Sequence, residues 1–435
     1  MTDATAPARP RRLTGAPTDY DPLLESVGDA GFVLLGDATH GSHELYVERA
    51  RITRRLIAEC GFTAVVVEAD WPDAQRVNAY VSGRGSDPDA GSALGDFARF
   101  PRWMWRNTVV RDFVEWLRRY NDRLAPEDRA GFYGLDLYSL TASIEAVVTH
   151  LDRTDPAAAR RARTRYACFD HVGTQGQLYA EAVAENPSRT CEDEAVAQLA
   201  EMLAARGARR DPDGCGQGAV SPVVGDAFDA SQNARLIRDA ERYSRALSHG
   251  RAASWNVRDE HMAGTVEALA AHLGRHRLPA RIVVWAHNSH LGDARATEMA
   301  ERGEHSVGGL LRERHPGEVF AIGLTTAGGT VTAAADWGAP AQTMHLRPPL
   351  DGSIEHLFRE TGVDAALVPL GARLVDVRLR GSWLERAVGA VYRPDAELFC
   401  HYMRVAPADQ FDAVVHVDET HALSPLDPEG PDQAR

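Results

Sequence analysis

The sequence predicts an α/β fold: a largely parallel sheet flanked by helices, with a mainly helical subdomain inserted over a cleft at one sheet edge. Three observations predict it. Short, β-branched apolar runs without alternation recur along the chain, as expected of strands buried on both faces. Stretches with apolar residues at helical spacing separate them, the alternation that marks βα units. Between about Thr141 and Gly274 the strand runs stop, and alanine-, arginine- and glutamate-rich helical sequence replaces them.

Residues 1–20 read as a disordered tail whose arginines are followed by no apolar segment, so a signal peptide is not expected. One large domain is expected over 21–425, with 141–274 as its helical insert. The first strand, Phe32 to Leu35, stops at Gly36 and is followed by Asp37, His40, His43 and Glu44. Ser42 is expected to cap the next helix, where Leu45, Ile52, Leu56 and Ile57 fall at helical spacing. Phe62 to Glu68 is the second strand and runs into Asp70-Trp71-Pro72. Gly131 to Asp136 is the third. The insert is interrupted by a Gly-, Asp- and Pro-rich loop over Gly207 to Gly225. Arg281 onward forms the fourth strand and ends in His287-Asn-Ser-His290. Val319 to Thr326 is the fifth, bounded by Gly328-Gly329. After Gly338 the pattern is strand-like again, closing with Ala413 to Glu419, and 426–435 reads as a loose tail.

Composition sets limits on function. With 435 residues, 44% hydrophobic and 25% charged, the chain has ample material for a core. Its net charge of −14 argues against nucleic acid or an anionic membrane as partner. No apolar stretch approaches the roughly 18 residues of a spanning helix, so a cytoplasmic protein is the default expectation. Five cysteines (Cys60, Cys168, Cys191, Cys215, Cys400) lie without paired spacing and are expected to be buried thiols. The chain contains no lysine, which excludes Schiff-base chemistry, a P-loop and a Ser-Lys dyad.

If the strands are parallel, those ending at Asp37/His40, Glu68, Asp136 and His287/His290 present their last side chains along one edge. No G-x-S-x-G nucleophile elbow exists. Two imidazoles with several acids and no protein nucleophile suit activation of water. One imidazole takes a proton, an acid orients it, and another group supports the developing oxyanion. Arg49 is either an exposed helix arginine, an ion-pair partner of Glu68 or Asp37, or a direct stabiliser of a tetrahedral intermediate. The polar run Trp255 to Met262 either joins the insert to the sheet or takes part in catalysis. A metal site is a competing reading, since His40-Gly-Ser-His43 and His287-Asn-Ser-His290 are both HxxH and Glu68 adds a carboxylate. No HExxH helix accompanies them.

These residues resemble the erythromycin esterase family, with its succinoglycan-biosynthesis-like relatives. The resemblance is carried by Gly36-Asp-Ala-Thr-His-Gly-Ser-His-Glu44, Val67-Glu-Ala-Asp-Trp-Pro-Asp-Ala74, Ser254-Trp-Asn-Val-Arg-Asp-Glu-His-Met262 and Trp285-Ala-His-Asn-Ser-His-Leu-Gly-Asp-Ala294. Val391 to Pro394 and Gln410 to Ala413 add to it. It implies that His40 is the general base, that Glu68, His287 and Arg49 are the acid, second histidine and arginine of one cleft, and that His290 lies nearby. The family often has glutamate at the position of Asp37. Aspartate is one methylene shorter, so its contact with His40 is expected to need a shifted backbone or a bridging water. The implied activity is hydrolysis of a carboxylic ester in a small-molecule or macrolide substrate, a trait of antibiotic resistance. No cofactor is implied, and a catalytic metal is left open. Trp71, Asp136 and Arg258 are the expected substrate-binding residues, with Trp103 and Trp105 as further candidates for an apolar wall. The alternatives are a metal-dependent hydrolase on the same residues and a biosynthesis-associated protein with a non-macrolide substrate.

Overall fold

In the computed structural model, which describes residues 10–171, 176–186, 190–208, 222–274, 280–370, 379 and 381–427, the apolar runs pair into one nine-stranded sheet. In chain order the strands are β1 (Arg11–Arg12), β2 (Phe32–Leu35), β3 (Phe62–Asp70), β4 (Gly131–Asp136), β5 (Arg281–Trp285), β6 (Val319–Ala334), β7 (Ala341–His345), β8 (Ala365–Pro369), β9 (Trp383–Arg386), β10 (Tyr402–Val405) and β11 (Ala413–Thr420). Their spatial order is β1-β8-β11-β6-β2-β5-β3-β4, with β7 on β6 and with β9 and β10 paired apart. The six strands from β11 to β4 are parallel, and β1, β8 and β7 pair antiparallel.

The unbroken apolar runs follow from burial on both sides. Along β2, Val33 and Leu35 face Leu45, Ile52 and Leu56 of the helix His43–Cys60, while Phe32 and Leu34 face Met262, Val266 and Leu269 of the helix Arg251–Leu273. Each such side chain contributes about 1.5–3 kcal/mol on burial, so a polar residue anywhere in these strands is costly. Between β4 and β5 the described residues form helices only, Leu140–Thr154 through Arg251–Leu273, with an apolar cluster of their own around Val147, Ala162, Leu199 and Ile237. The loop expected over 207–225 lies largely outside the described residues.

Four sequence expectations change here. The tail over 1–20 is shorter: Arg11 and Arg12 pair with Leu367 and Ala366 of β8, and the buried Tyr20 hydroxyl donates to Glu48. Residues 1–9 lie outside the described residues, as do 428–435, whereas Leu426 donates its N–H to the Arg106 carbonyl. The fifth strand does not stop at its glycines. At Gly329, φ is +100° and an added Cβ would overlap the Thr420 carbonyl, so glycine is what lets β6 continue beside β11. Cys168 and Cys191 form a disulfide, brought together by helix packing that their separation of 23 residues does not signal. Cys60 and Cys400 are free, and Cys215 lies outside the described residues.

The segment after β2 is held by main-chain bonds on both sides. The His40 N–H donates to the Val388 carbonyl at 3.1 Å, and Val388 returns a bond to Ala38 at 2.7 Å. Thr332 and Leu423 both donate to the Gly41 carbonyl, at 3.0 and 2.8 Å. A Cβ on Gly41 would overlap the Thr332 carbonyl, a backbone atom that cannot swing away. Gly41→Ala is therefore expected to lower the unfolding free energy by about 1–3 kcal/mol through overpacking. The measurement is a lower urea midpoint at unchanged m-value.

Candidate active site

Strands β2, β5, β3 and β4 are neighbours and parallel, so their carboxyl ends deliver side chains to one edge. There they line a cavity of about 780 Å³, at which His40, Glu68, Asp136, Arg258, His287 and His290 meet.

His40 is held from below. Its Nδ1 lies 3.1 Å from Asp37 Oδ1, while Asp37 Oδ2 pairs with Arg49 Nη1 at 2.8 Å. Asp37 and Arg49 are both 0% exposed, and the guanidinium also lies over the Tyr46 ring. The shorter aspartate thus reaches His40 directly, and the expected shift or bridging water is not needed. Arg49 is neither exposed nor on the cleft wall; it neutralises Asp37. Burial alone would lower the His40 pKa, but the Asp37 and Glu68 carboxylates outweigh it and raise the imidazole above its ordinary value. Burial likewise opposes ionisation of Asp37, and Arg49 and His40 overcome it.

Glu68 is the junction between the sheet and the insert. Its Oε2 accepts the His287 main-chain N–H at 2.8 Å and stands 4.0 Å from His40 Nε2. Its Oε1 accepts from Arg258 Nη2 at 2.7 Å. The same guanidinium bonds Asp136 twice, Nε to Oδ1 at 2.9 Å and Nη2 to Oδ2 at 2.6 Å. Burial would raise the Glu68 pKa, yet His290, His40 and Arg258 drive it far below the usual carboxylate range. His290 is fixed on all sides: Nδ1 donates to Asp259 at 3.0 Å, Nε2 accepts from Arg258 Nη1 at 3.1 Å, and the ring stacks on Trp255. With both nitrogens engaged, it positions Glu68 and Arg258 and is not free to act as a base.

His287 differs from both. Its Nδ1 accepts from the Ser289 N–H at 3.2 Å and from the Ser289 hydroxyl at 2.8 Å, which puts the ring proton on Nε2. That buried Nε2 has no hydrogen-bond partner, and the ring lies edge-on to His40 with centroids 4.9 Å apart. Burial and the neighbouring His40 push its pKa down to about 4, so it stays a neutral N–H donor. Such a weak base does not activate Ser289 as a nucleophile.

Of the expected substrate-binding residues, Asp136 and Arg258 line the cleft and Trp71 does not. Trp71 is 2% exposed, stacked on Tyr133 and packed against Phe228, because its side chain turns to the core face at the start of the helix Trp71–Val81. Trp103 is likewise core, whereas Trp105 lines the cleft and donates Nε1–H to the Glu68 carbonyl at 3.1 Å. Ser42 occupies the helix N-cap position without capping through its side chain, which bonds Thr39 and Thr420 instead. His43 begins that helix, and Glu44 pairs with His421 at 2.8 Å. Sequence reasoning missed the roles of Asp259, Ser289 and Trp255; a signal was present in the polar run Trp255 to Met262, whose i,i+3 and i,i+4 positions share a helix face. The metal reading fits poorly. Among the described residues no three His, Cys, Asp or Glu side chains converge as ligands.

Known proteins show the same arrangement of chain. The profile of the family described as Erythromycin esterase matches residues 57–420. The erythromycin esterase type II of Escherichia coli is 21% identical over 378 residues, spanning 80% of this chain and 83% of that protein. Among solved structures, a Bacillus cereus protein superposes with a TM-score of 0.77 at 19% identity, covering 96% of this chain and 97% of that one. A succinoglycan biosynthesis protein gives 0.76 at 18%, covering 95% of both chains, and a variant of the erythromycin esterase EreC in its open conformation gives 0.68 at 16%, covering 98% of both. At these identities the structural likeness shows a shared fold.

The Asp37–Arg49 pair supplies a test of the floor of this site. Removing one member of a buried ion pair leaves an uncompensated charge and costs about 3–5 kcal/mol. Arg49→Met is expected to destabilise by that amount in urea unfolding, and adding Asp37→Asn to the same chain is expected to restore most of the loss.

Proposed function

The chain belongs to the erythromycin esterase family, and from that membership we propose that it hydrolyses a carboxylic ester by activating water with His40 as general base. The observation that carries this reading is the division of labour between two adjacent imidazoles. His40 has one nitrogen held by Asp37 and the other open toward the cleft, while His287 keeps a proton on a nitrogen with no protein partner.

In the base form of His40, Nδ1–H faces the Asp37 carboxylate and the Nε2 lone pair receives a proton from water. Glu68 Oε2, too far from Nε2 for a direct bond at 4.0 Å, is placed to take the second hydrogen of that water. The water oxygen adds to the ester carbonyl, and the developing oxyanion accepts from His287 Nε2–H. The C–O bond to the alcohol then breaks as protonated His40 returns its proton to the leaving oxygen. Arg258, Asp136 and His290 hold Glu68 in place. The macrolactone ring of an erythromycin-like compound is the substrate class that the Escherichia coli relative offers. The fold is shared with a succinoglycan biosynthesis protein, so substrate identity rests with the cleft walls rather than with the sheet.

Three outcomes test the reading. His40→Asn is expected to abolish ester hydrolysis while circular dichroism and the melting transition stay unchanged; a fully active variant overturns the mechanism. His287→Phe is expected to lower kcat about 10²–10³-fold with KM little altered, as for loss of one oxyanion donor. Because the His40 pKa is raised and only its unprotonated form works, kcat/KM is expected to climb with pH through an inflection above 6.5. Asp37→Asn removes a charge that favours the imidazolium, so its inflection moves to lower pH while the plateau falls. An inflection that moves upward contradicts the assignment.

A further inference from the structure

The wall of the cleft carries, among the described residues, one arginine with no carboxylate beside it. Among the described residues, the other arginines on the wall all face carboxylates: Arg258 pairs with Glu68 and Asp136, Arg99 with Asp70, Arg302 with Glu298 and Glu304, and Arg251 with Glu304. Arg102 also lines the cleft, partly buried, and among the described residues no acid lies within ion-pair distance of it. A guanidinium withdrawn from bulk water without a partner holds its charge and five donors ready for a ligand.

Its placement is firm. Arg102 sits on the segment 97–105, which is tied to the catalytic strands at both ends. Trp105 donates to the Glu68 carbonyl at 3.1 Å, and Arg99 donates to the Tyr138 carbonyl at 2.7 Å while pairing with Asp70. The same segment bears Phe100, whose ring meets Trp337 edge-on at 4.9 Å. Trp337, on the turn between β6 and β7, is 71% exposed, and Phe399 across the mouth is 89% exposed. Both line the cleft, so the largest exposed aromatics gather at its entrance.

Resting on the hydrolase reading, we propose that the substrate couples an apolar ring system to a carboxylate or similar anion: the ring lies against Phe100 and Trp337, and the anion pairs with Arg102. The fork geometry suits a carboxylate bidentately, and the aromatic walls favour a flat or alicyclic group over an extended chain. The one cleft carboxyl without a basic partner among the described residues, Asp73, contacts the Ser139 hydroxyl at 3.5 Å. Burial and Asp96 push it up to about 7, so it opposes an incoming anion less than an ordinary aspartate would.

The test needs no turnover and is read separately from the His40 result. Isothermal titration calorimetry of the whole chain would compare 2-naphthoate, 2-naphthamide and 2-naphthylmethylammonium, three probes of matched shape and different charge. The expected result is naphthoate binding about tenfold to a hundredfold tighter than naphthamide. Arg102→Gln is expected to erase that preference and Arg102→Lys to keep part of it, while Trp337→Ala weakens all three probes alike. Equal affinity for naphthoate and naphthamide, or no binding of any probe, overturns the proposal. So does an Arg102→Gln variant that weakens both equally, or a preference for the ammonium that Asp73→Asn removes. If the anion preference holds while no ester is hydrolysed, the subsite stands and the hydrolase reading falls.

Discussion

A single buried carboxylate organises the carboxyl edge of this sheet. Glu68, near the end of its strand, accepts from the main chain of His287 just beyond the neighbouring strand, grips the helical insert through Arg258, and faces His40 across the cleft floor. Each of these bonds crosses between elements far apart in sequence. In a low-dielectric interior such a charge is tolerated only when surrounded by donors and cations, and here two strands and the insert supply them. The geometry of the site therefore depends on the insert docking correctly, since Arg258 and Asp259 come from the helix Arg251–Leu273 while Glu68 comes from the sheet.

The charges around Glu68 explain why neighbouring histidines behave so differently. The cluster gathers Asp37, Glu68, Asp136 and Asp259 against two arginines, Arg49 and Arg258. An excess of carboxylates draws protons to whichever imidazole faces them without another partner. That is His40, whose pKa rises. His287 feels the same field but is desolvated, lies beside His40, and has its Nδ1 lone pair occupied by Ser289, so it remains neutral. His290 is committed to Asp259 and Arg258. The hydrogen-bond partners thus put the proton of His287 on Nε2 and that of His290 on Nδ1, so neighbouring rings of one cleft present different groups to it.

Much of this was legible in the sequence because the strands are short, buried on both faces and end in ionisable residues. The runs at Phe32, Phe62, Gly131 and Arg281 predict their strands within a few residues, and His40, Glu68, Asp136, His287 and His290 from beyond or near their ends line one cavity. What was not legible depends on packing. Nothing local distinguishes Trp71, which turns into the core, from Trp105, which reaches the cleft. Arg49 reads equally as an exposed helix residue or as an ion-pair partner of Glu68 or Asp37, and only the fold selects Asp37. The glycines at 328 and 329 punctuate the sequence but continue a strand, because the position that needs φ > 0 is one where β11 comes unusually close. Likewise Cys168 and Cys191 meet only through tertiary contact.

The division between floor and wall has a consequence for how such a chain acquires a substrate. The floor charges Asp37 with Arg49, and Arg258 with Glu68 and Asp136, are paired, so replacing one leaves a buried charge uncompensated and is strongly penalised. The wall residues answer to fewer constraints. Among the described residues, no charge or polar group depends on the side chains of Trp337, Phe399 and Arg102, and Trp337 meets the Phe100 ring. If the chain is the hydrolase proposed above, substitution at the wall alters which ester is received while leaving the floor untouched. The segment 97–105 joins the two regions, since Trp105 and Arg99 anchor it to the floor and Phe100 and Arg102 face the incoming molecule. On the proposed reading, specificity is carried by side chains that the fold can spare, which is the condition under which it can be changed without loss of the hydrolytic floor.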